Sequence, residues 1–356
     1  GCAHPCRGPA NGCLGILMGP NSRASLSEYM PDIIKGRAVR SMSVRRREVL
    51  ALGAVSLAFG VGGCSPFALA LSKKKRKVRK YLSGLDGVTS VEVDVDPGLV
   101  TDDRWDVVVN LKGDPGQDAV LAIIRNARNE VVNLADSDKV ELDVKWTQGA
   151  TSMSCHLPMD DSERAVPAAM EVVSSEVESV EISWNEIRLR YQGVKTLPDN
   201  FILPLTSPVV GVGSLKTEQS IHVGSSYCHV THSKGVDLTS VPIKSVLDAI
   251  PADKRVDATV DLDAHDDINQ VTQLRVWGLG EYGKGVEVDA AAPVLAAVLG
   301  NRTLQRVELA TAPNDDYDSE VVAFDMNGGA VAGQGDPPEK GAPILAAAQQ
   351  PAASSS

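Results

Sequence analysis

The side chains best suited to chemistry gather in one stretch of the chain. His222, Cys228, His229 and His232 fall within eleven residues, and Cys155-His156 forms a second soft pair. Imidazole and thiolate are ligands for zinc and copper, so this stretch carries the metal-binding or hydrolytic reading of the protein. Strand periodicity works against a single ion there. In an extended segment Cys228, Val230 and His232 share one face and His229 takes the other, so convergence would need a bulge. Cys155 lies on the same face as Met153 and Leu157, and Cys228 on that of Val230. Both thiols are therefore expected to face a core, either joined as a Cys155–Cys228 disulfide or as two separate buried thiols. The acidic groups Asp261, Asp263, Asp266 and Asp267, and Asp315, Asp316 and Asp318, fall at strand ends and turns without the spacing of an EF-hand loop, and read as solvated turns. Gly278-Leu-Gly-Glu-Tyr-Gly283 has the letters of a dinucleotide fingerprint after a strand. The next helix, however, is expected near Asp289, too late to place its N-terminus on a pyrophosphate. The chain has no Gly-x-Ser-x-Gly elbow, no His-Glu-x-x-His pair and no P-loop. No catalytic residue, metal ligand or cofactor is assigned.

A different cysteine carries the strongest motif. Arg45, Arg46 and Arg47 precede the uncharged run Val49–Val61, and Val61-Gly62-Gly63-Cys64 follows directly. A basic segment, an apolar segment and small residues before a cleavage point form an export signal, and the apolar run is short of the roughly 20 residues of a membrane span. The last four residues resemble the lipobox of bacterial lipoproteins. That resemblance implies cleavage between Gly63 and Cys64, lipidation of Cys64, and a protein held on the extracytoplasmic face of the cell membrane. Arg46-Arg47-Glu48-Val49-Leu50 also resembles the twin-arginine signal, with Val49 where that family has Phe. Lys73, Lys74, Lys75, Arg76 and Lys77 follow as a basic tether suited to anionic headgroups. The same run matches a short nuclear import signal, which would hold only if Cys64 were not an anchor.

The elements that must position any site recur in a fixed pattern. Pro167, Pro208, Pro242 and Pro293 each stand 13 or 14 residues before a strand beginning at Val180, Ile221, Val256 or Val307. They read as prolines in the first turn of a helix, with Asp114, Ser240 and Asp289 as caps. Apolar stripes such as Ile243, Val246, Leu247 and Ile250 support the helices. Each helix precedes two strands: Ser90–Asp96 with Trp105–Lys112, Val140–Trp146 with Ser152–Leu157, Val180–Trp184 with Ile187–Tyr191, Ile221–Val223 with Tyr227–His232, Val256–Asp263 with Thr272–Trp277, and Val307–Thr311 with Glu320–Phe324. In the fourth unit Val209-Val-Gly-Val-Gly213 makes a poor helix.

The expected fold class is α+β, with tandem helix–strand–strand repeats grouped into about three ferredoxin-like α/β sandwiches. The expected organisation is an upstream segment 1–41, a signal peptide 42–63 and an anchor and tether 64–78. Modules 79–158, 159–239 and 240–326 follow, and then a Gly-, Ala-, Pro- and Ser-rich disordered tail 327–356.

Beyond residue 63 the chain holds 27 basic and 43 acidic residues, a formal charge of −16. A surface that acidic repels phosphate backbones, so nucleic acid is not an expected partner. Together these readings lead to a non-catalytic binding or scaffolding lipoprotein whose partner is another envelope protein or a cell-wall polymer. The alternative is an extracytoplasmic metal-binding protein or hydrolase using the His222–His232 region.

Overall fold

The alternating strands and striped helices assemble in a computed structural model that describes residues 66–96, 103–137, 139–157, 161–233, 235–256, 258–264, 271–312 and 318–350. All of the described residues belong to the compact unit Cys64–Ser356. Residues 1–63, Gly63 among them, lie outside the described residues, as does Cys64. The buried apolar side chains run from Val78 to Ala348, so Cys64–Ser356 carries its own core.

Helix α1 (Pro66–Ser83) leads into β1 (Val88–Asp96) and β2 (Arg104–Leu111), and α2 (Gln117–Ala135) into β3 (Val140–Gln148) and β4 (Thr151–Leu157). Then come α3 (Ser162–Glu171) with β5 (Val177–Ile182) and β6 (Glu186–Tyr191), and a crossover without a helix before β7 (Lys216–Val223) and β8 (Ser226–His232). The last units are α4 (Ile243–Ala249) with β9 (Thr259–Asp263) and β10 (Gln273–Trp277), and α5 (Val288–Val298) with β11 (Arg306–Ala310) and β12 (Val321–Asn327). They are followed by β13 (Ala330–Asp336) and α6 (Pro338–Ala348). All six expected strand pairs form as antiparallel hairpins.

The grouping into ferredoxin-like sandwiches does not form. The thirteen strands make one mixed sheet in strict chain order, β1 to β13, an α/β architecture rather than three modules. Each hairpin joins the next through a parallel pair, β2–β3, β4–β5, β6–β7, β8–β9 and β10–β11. Each crossover therefore advances one place in the same direction. The helix side is set by the apolar residues: the register partners Val109, Val144, Cys155, Ile182 and Ile187 form one row on one face of the sheet and are buried with the helices there. The burial pattern agrees: Trp105, Val107, Val109 and Leu111 of β2 pack with Val120, Ile123 and Ile124 of α2, while alternate residues of β2 point the other way.

The helix face holds two apolar cores, one under α1 to α3 and one under α4 to α6. They meet at the β6–β7 crossover, where the segment 192–215 sends Val209, Val212 and Leu215 into the first and Leu197 and Phe201 into the second. A long segment without a helix leaves backbone groups that need partners. Here β7 supplies them from helix-facing positions where other strands carry Val or Leu. Thr217 Oγ1 donates to the Val209 carbonyl at 2.6 Å. The Gln219 side chain donates to the Phe201 carbonyl at 2.6 Å and accepts from the Leu203 N–H at 3.1 Å.

Three local expectations also change. Pro167 and Pro293 lie inside α3 and α5, at the sixth residue of each, while Pro242 immediately precedes α4. Asp114 does not cap α2, which starts at Gln117; its carboxylate accepts the Gly149 N–H at 2.5 Å instead. The segment expected as a disordered tail forms β13 and α6. Its glycines serve close packing: a Cβ on Gly335 would lie 2.7 Å from the Phe324 ring, and one on Gly341 would lie 2.4 Å from the Gln334 carbonyl.

Candidate functional site

The face of the sheet opposite the helices is polar from β1 to β12. One row of register partners begins Ser90, Asn110, Lys145, Ser154 and Glu181. It continues through Arg188, Glu218, Thr231, Asp263, Gln273, Arg306 and Asp325. At about 4.8 Å per strand the row spans roughly 50 Å. A second row runs beside it, with Ser220, His229, Asp261, Arg275 and Glu308 on successive strands. Alternation along each strand explains both rows, because every second residue must avoid the core.

At the centre the charges alternate and pair. His229 Nδ1 lies 2.9 Å from Asp261 Oδ1, and its Nε2 lies 3.7 Å from Glu218 Oε2. Arg188 reaches Glu218 through Nε at 3.0 Å and Glu181 at 3.4 Å, and also pairs with Glu186. Two strands on, Glu308 is held by Arg275, by Arg306 Nε at 2.8 Å and by Gln273 at 3.3 Å. His229, Asp261 and Glu308 are buried at 5%, 4% and 7% exposure, although no described helix covers this face. Burial at that level makes each missing charge partner costly.

The protonation states follow from these neighbours. Burial works against a charged His229, but the hydrogen bonds and charges of Asp261 and Glu218 outweigh it and raise its pKa well above the ordinary value. Burial likewise opposes ionisation of Glu218. His229 foremost, with Glu186 and Arg188, still brings its carboxyl down to about 2. Glu186 goes the other way: burial and the adjacent Glu218 carboxylate push it up to about 7, against the pull of Arg188. The cluster is thus an imidazolium and a guanidinium threaded between carboxylates.

His232 sits three residues away on the opposite face. Its Nε2–H donates to Gln219 Oε1 at 2.5 Å, and its buried Nδ1 has no hydrogen-bond partner among the described residues. Burial takes its pKa down to about 4, against a weaker upward pull from Asp237. The His222 ring packs against Tyr227 in a tilted arrangement, 5.0 Å between centroids. The histidines expected to divide between two faces do so.

The structure does bring His229 to acidic residues that the sequence reading left as separate turns. Ligand atoms of His229, Asp261 and Asp263 lie within 4.8 Å of one another. The signal was present in the pattern Asp261-Leu-Asp263 on a strand, which puts both carboxylates on one face, but the partner strand was needed to bring His229 to them. Ser220, His229 and Asp261 also stand in the order of a hydrolytic triad on neighbouring strands. The imidazole Nε2 faces Glu218, however, and a protonated imidazole cannot serve as the general base such a triad requires.

Cys155 and Cys228 are buried thiols on β4 and β8. Four strand spacings alone separate them by roughly 19 Å, far beyond the roughly 7 Å between Cα atoms that a disulfide tolerates. Of the two alternatives, the Cys155–Cys228 bond does not form and the thiols stay separate. Burial pushes the Cys155 thiol up to about 12 and raises Cys228 as well, which leaves both unreactive. His156 pairs with Asp143 on the open face at 2.5 Å. Asp266, Asp267, Asp315 and Asp316 lie outside the described residues; Asp318 is among them. Gly278–Gly283 forms a turn after β10, with α5 beginning at Val288. A Cβ on Gly280 would lie 2.2 Å from the Gly285 carbonyl, so that glycine serves the loop's own closure. Lys73–Lys77, the basic tether of the sequence, lie within α1.

Comparison with protein-family models, curated proteins and solved structures finds no match for the chain.

Proposed function

We propose that the protein is a non-catalytic, lipid-anchored binding or scaffolding protein of the cell envelope that presents the open face of its sheet to an extended partner. The observation that carries this reading is the polar face running across twelve strands with no described helix over it. Polar groups repeating at every strand suit a partner that also repeats, such as a cell-wall polymer, or the broad face of another envelope protein. Aromatic surface stands beside the rows: Tyr227 and Trp277 flank Thr259 on the same face, and the Arg275 guanidinium lies 5.1 Å from the Trp277 ring centre. The anchor at Cys64 rests on the lipobox resemblance. No described helix is long and apolar enough to cross a membrane.

Photo-crosslinking side chains placed in living cells at the exposed open-face positions Ser152 and Arg190, and at Glu171 on the helix side, test the reading. Envelope adducts from the two open-face positions alone are expected. Adducts from Glu171 alone would reject the open face as the contact.

The convergence of His229, Asp261 and Asp263 favours a second reading, a divalent-cation site. The ion would have to displace the proton that Asp261 and Glu218 hold on His229, so binding would strengthen as pH rises. Zinc titration by calorimetry decides it: one equivalent bound by the natural chain and none by His229→Ala supports a site, and equal weak uptake by both rejects it.

A further inference from the structure

We propose that the outer face of α1 is a binding surface for anionic lipid headgroups, which fixes the attitude of the whole sheet at the membrane. The inference deepens the envelope reading and rests on its placing of the chain beside a lipid bilayer. Helix α1 is docked on the body. Val78 and Leu82 are fully buried in the first core, Leu71 and Tyr81 pack beside them, and α1 closes over β1 and α2. Lys74 pairs with Asp136 at the end of α2 at 3.1 Å, and Lys75 with Asp94 of β1 at 3.4 Å. These two contacts define the sides of the helix that face its neighbours.

The side left over is cationic. Lys73, Arg76, Lys77 and Lys80 follow the spacing i, i+3, i+4 and i+7, which lines them along one face opposite Val78 and Leu82. All four are exposed and make no ion pair among the described residues. Leu69 stands on the same stripe one turn earlier, half exposed at 50%, and Cys64 precedes the helix by two residues. A stripe with an apolar side chain at the lipid end and cations behind it matches a helix lying in the headgroup layer.

Charge elsewhere on the chain favours the same surface. Helix α1 holds seven basic residues and no acidic one, whereas residues 84–356 hold 20 basic and 43 acidic. An anionic bilayer attracts the first and repels the second. The outer face points away from both β1 and α2, so the edge of the sheet at β1 meets the membrane and the later strands recede from it.

The test uses Cys64–Ser356, which carries its own core, with Cys64→Ser to remove any lipid. Sedimentation with phosphatidylcholine vesicles is compared with and without phosphatidylglycerol, alongside K73Q/R76Q/K77Q/K80Q in the same background. The expected result is binding to the phosphatidylglycerol vesicles alone, weakened by salt and reduced more than about tenfold in the quadruple variant, with unchanged thermal melting. Equal binding to both vesicles, or undiminished binding by the quadruple variant, would overturn the proposal. So would tighter binding to a DNA duplex than to the vesicles. The anchor is judged separately, by the intact mass of membrane-fraction protein. An unlipidated mass with vesicle binding intact would remove the Cys64 reading and leave the α1 surface standing.

Discussion

His229 and His232 lie three residues apart on one strand and have opposite chemistry. His229 faces the open side, where Asp261 and Glu218 hold it protonated. His232 faces the helix side, where a single neutral partner, Gln219, and burial hold it neutral down to about pH 4. Both are almost wholly buried, so burial alone does not set the charge. The difference lies in what the neighbouring strands place beside each ring, and a strand's period of two assigns the rings to different neighbours.

The sharpest way to break the comparison is the same substitution at both positions. His229→Leu removes the cation between two buried carboxylates and is expected to lower stability by about 3–5 kcal/mol in urea denaturation. A loss below about 1 kcal/mol would mean that Glu218 and Asp261 are adequately solvated without it. Next in size is pH. The His232 pKa falls from 6.5 in the unfolded chain to about 4 in the folded one. The unfolded chain therefore takes up a proton in that window which the folded chain refuses. Stability from this group is complete above pH 6.5 and declines by roughly 3 kcal/mol as pH falls toward 4. His232→Leu should remove that slope from denaturation curves measured across the window. His229 has the opposite sign, its contribution complete below pH 6.5 and lost as pH rises through its raised value. Imidazole nitrogen shifts at pH 6 should accordingly show His229 charged and His232 neutral, and two rings titrating together would end the comparison. His232→Leu at pH 7 deletes one neutral hydrogen bond and is expected to cost only about 1 kcal/mol. The smallest effect belongs to the outer part of the open face. Arg104 and Glu141 pair at 2.7 Å with side chains 57% and 45% exposed, so Arg104→Ala should change stability by less than about 1 kcal/mol, and less still in high salt.

Much of the fold was legible residue by residue. Val91-Glu-Val-Asp-Val95 and Ile187-Arg-Leu-Arg-Tyr191 alternate cleanly, and both are strands in the expected hairpins. Ile243, Val246 and Leu247 line the buried side of α4 as their spacing implied. The fourth unit lacks a helix, in keeping with the glycines of its Val209-Val-Gly-Val-Gly213 stretch. The failures came where packing overrides composition. The glycines and prolines of 327–350 read as disorder, yet Gly335 and Gly341 allow α6 to approach β13 against Phe324. The acidic run at Asp261 and Asp263 read as a solvated turn, because nothing local announces that β8 will lie beside β9 and deliver His229.

By itself the sequence determined the elements and the two faces of each strand, since the periods of helix and strand are properties of a single segment and its solvent preference. It also carried the motif at Cys64 and the charge contrast between α1 and the remainder. Only the tertiary structure decided that the hairpins join into one sheet of thirteen strands rather than three sandwiches. A helix of given length can return the chain to the adjacent strand or past it, and side chains distant in sequence choose between them. The same decision placed Arg188, Glu218, His229 and Asp261 in line, because a row across strands exists only once the register of every parallel pair is set.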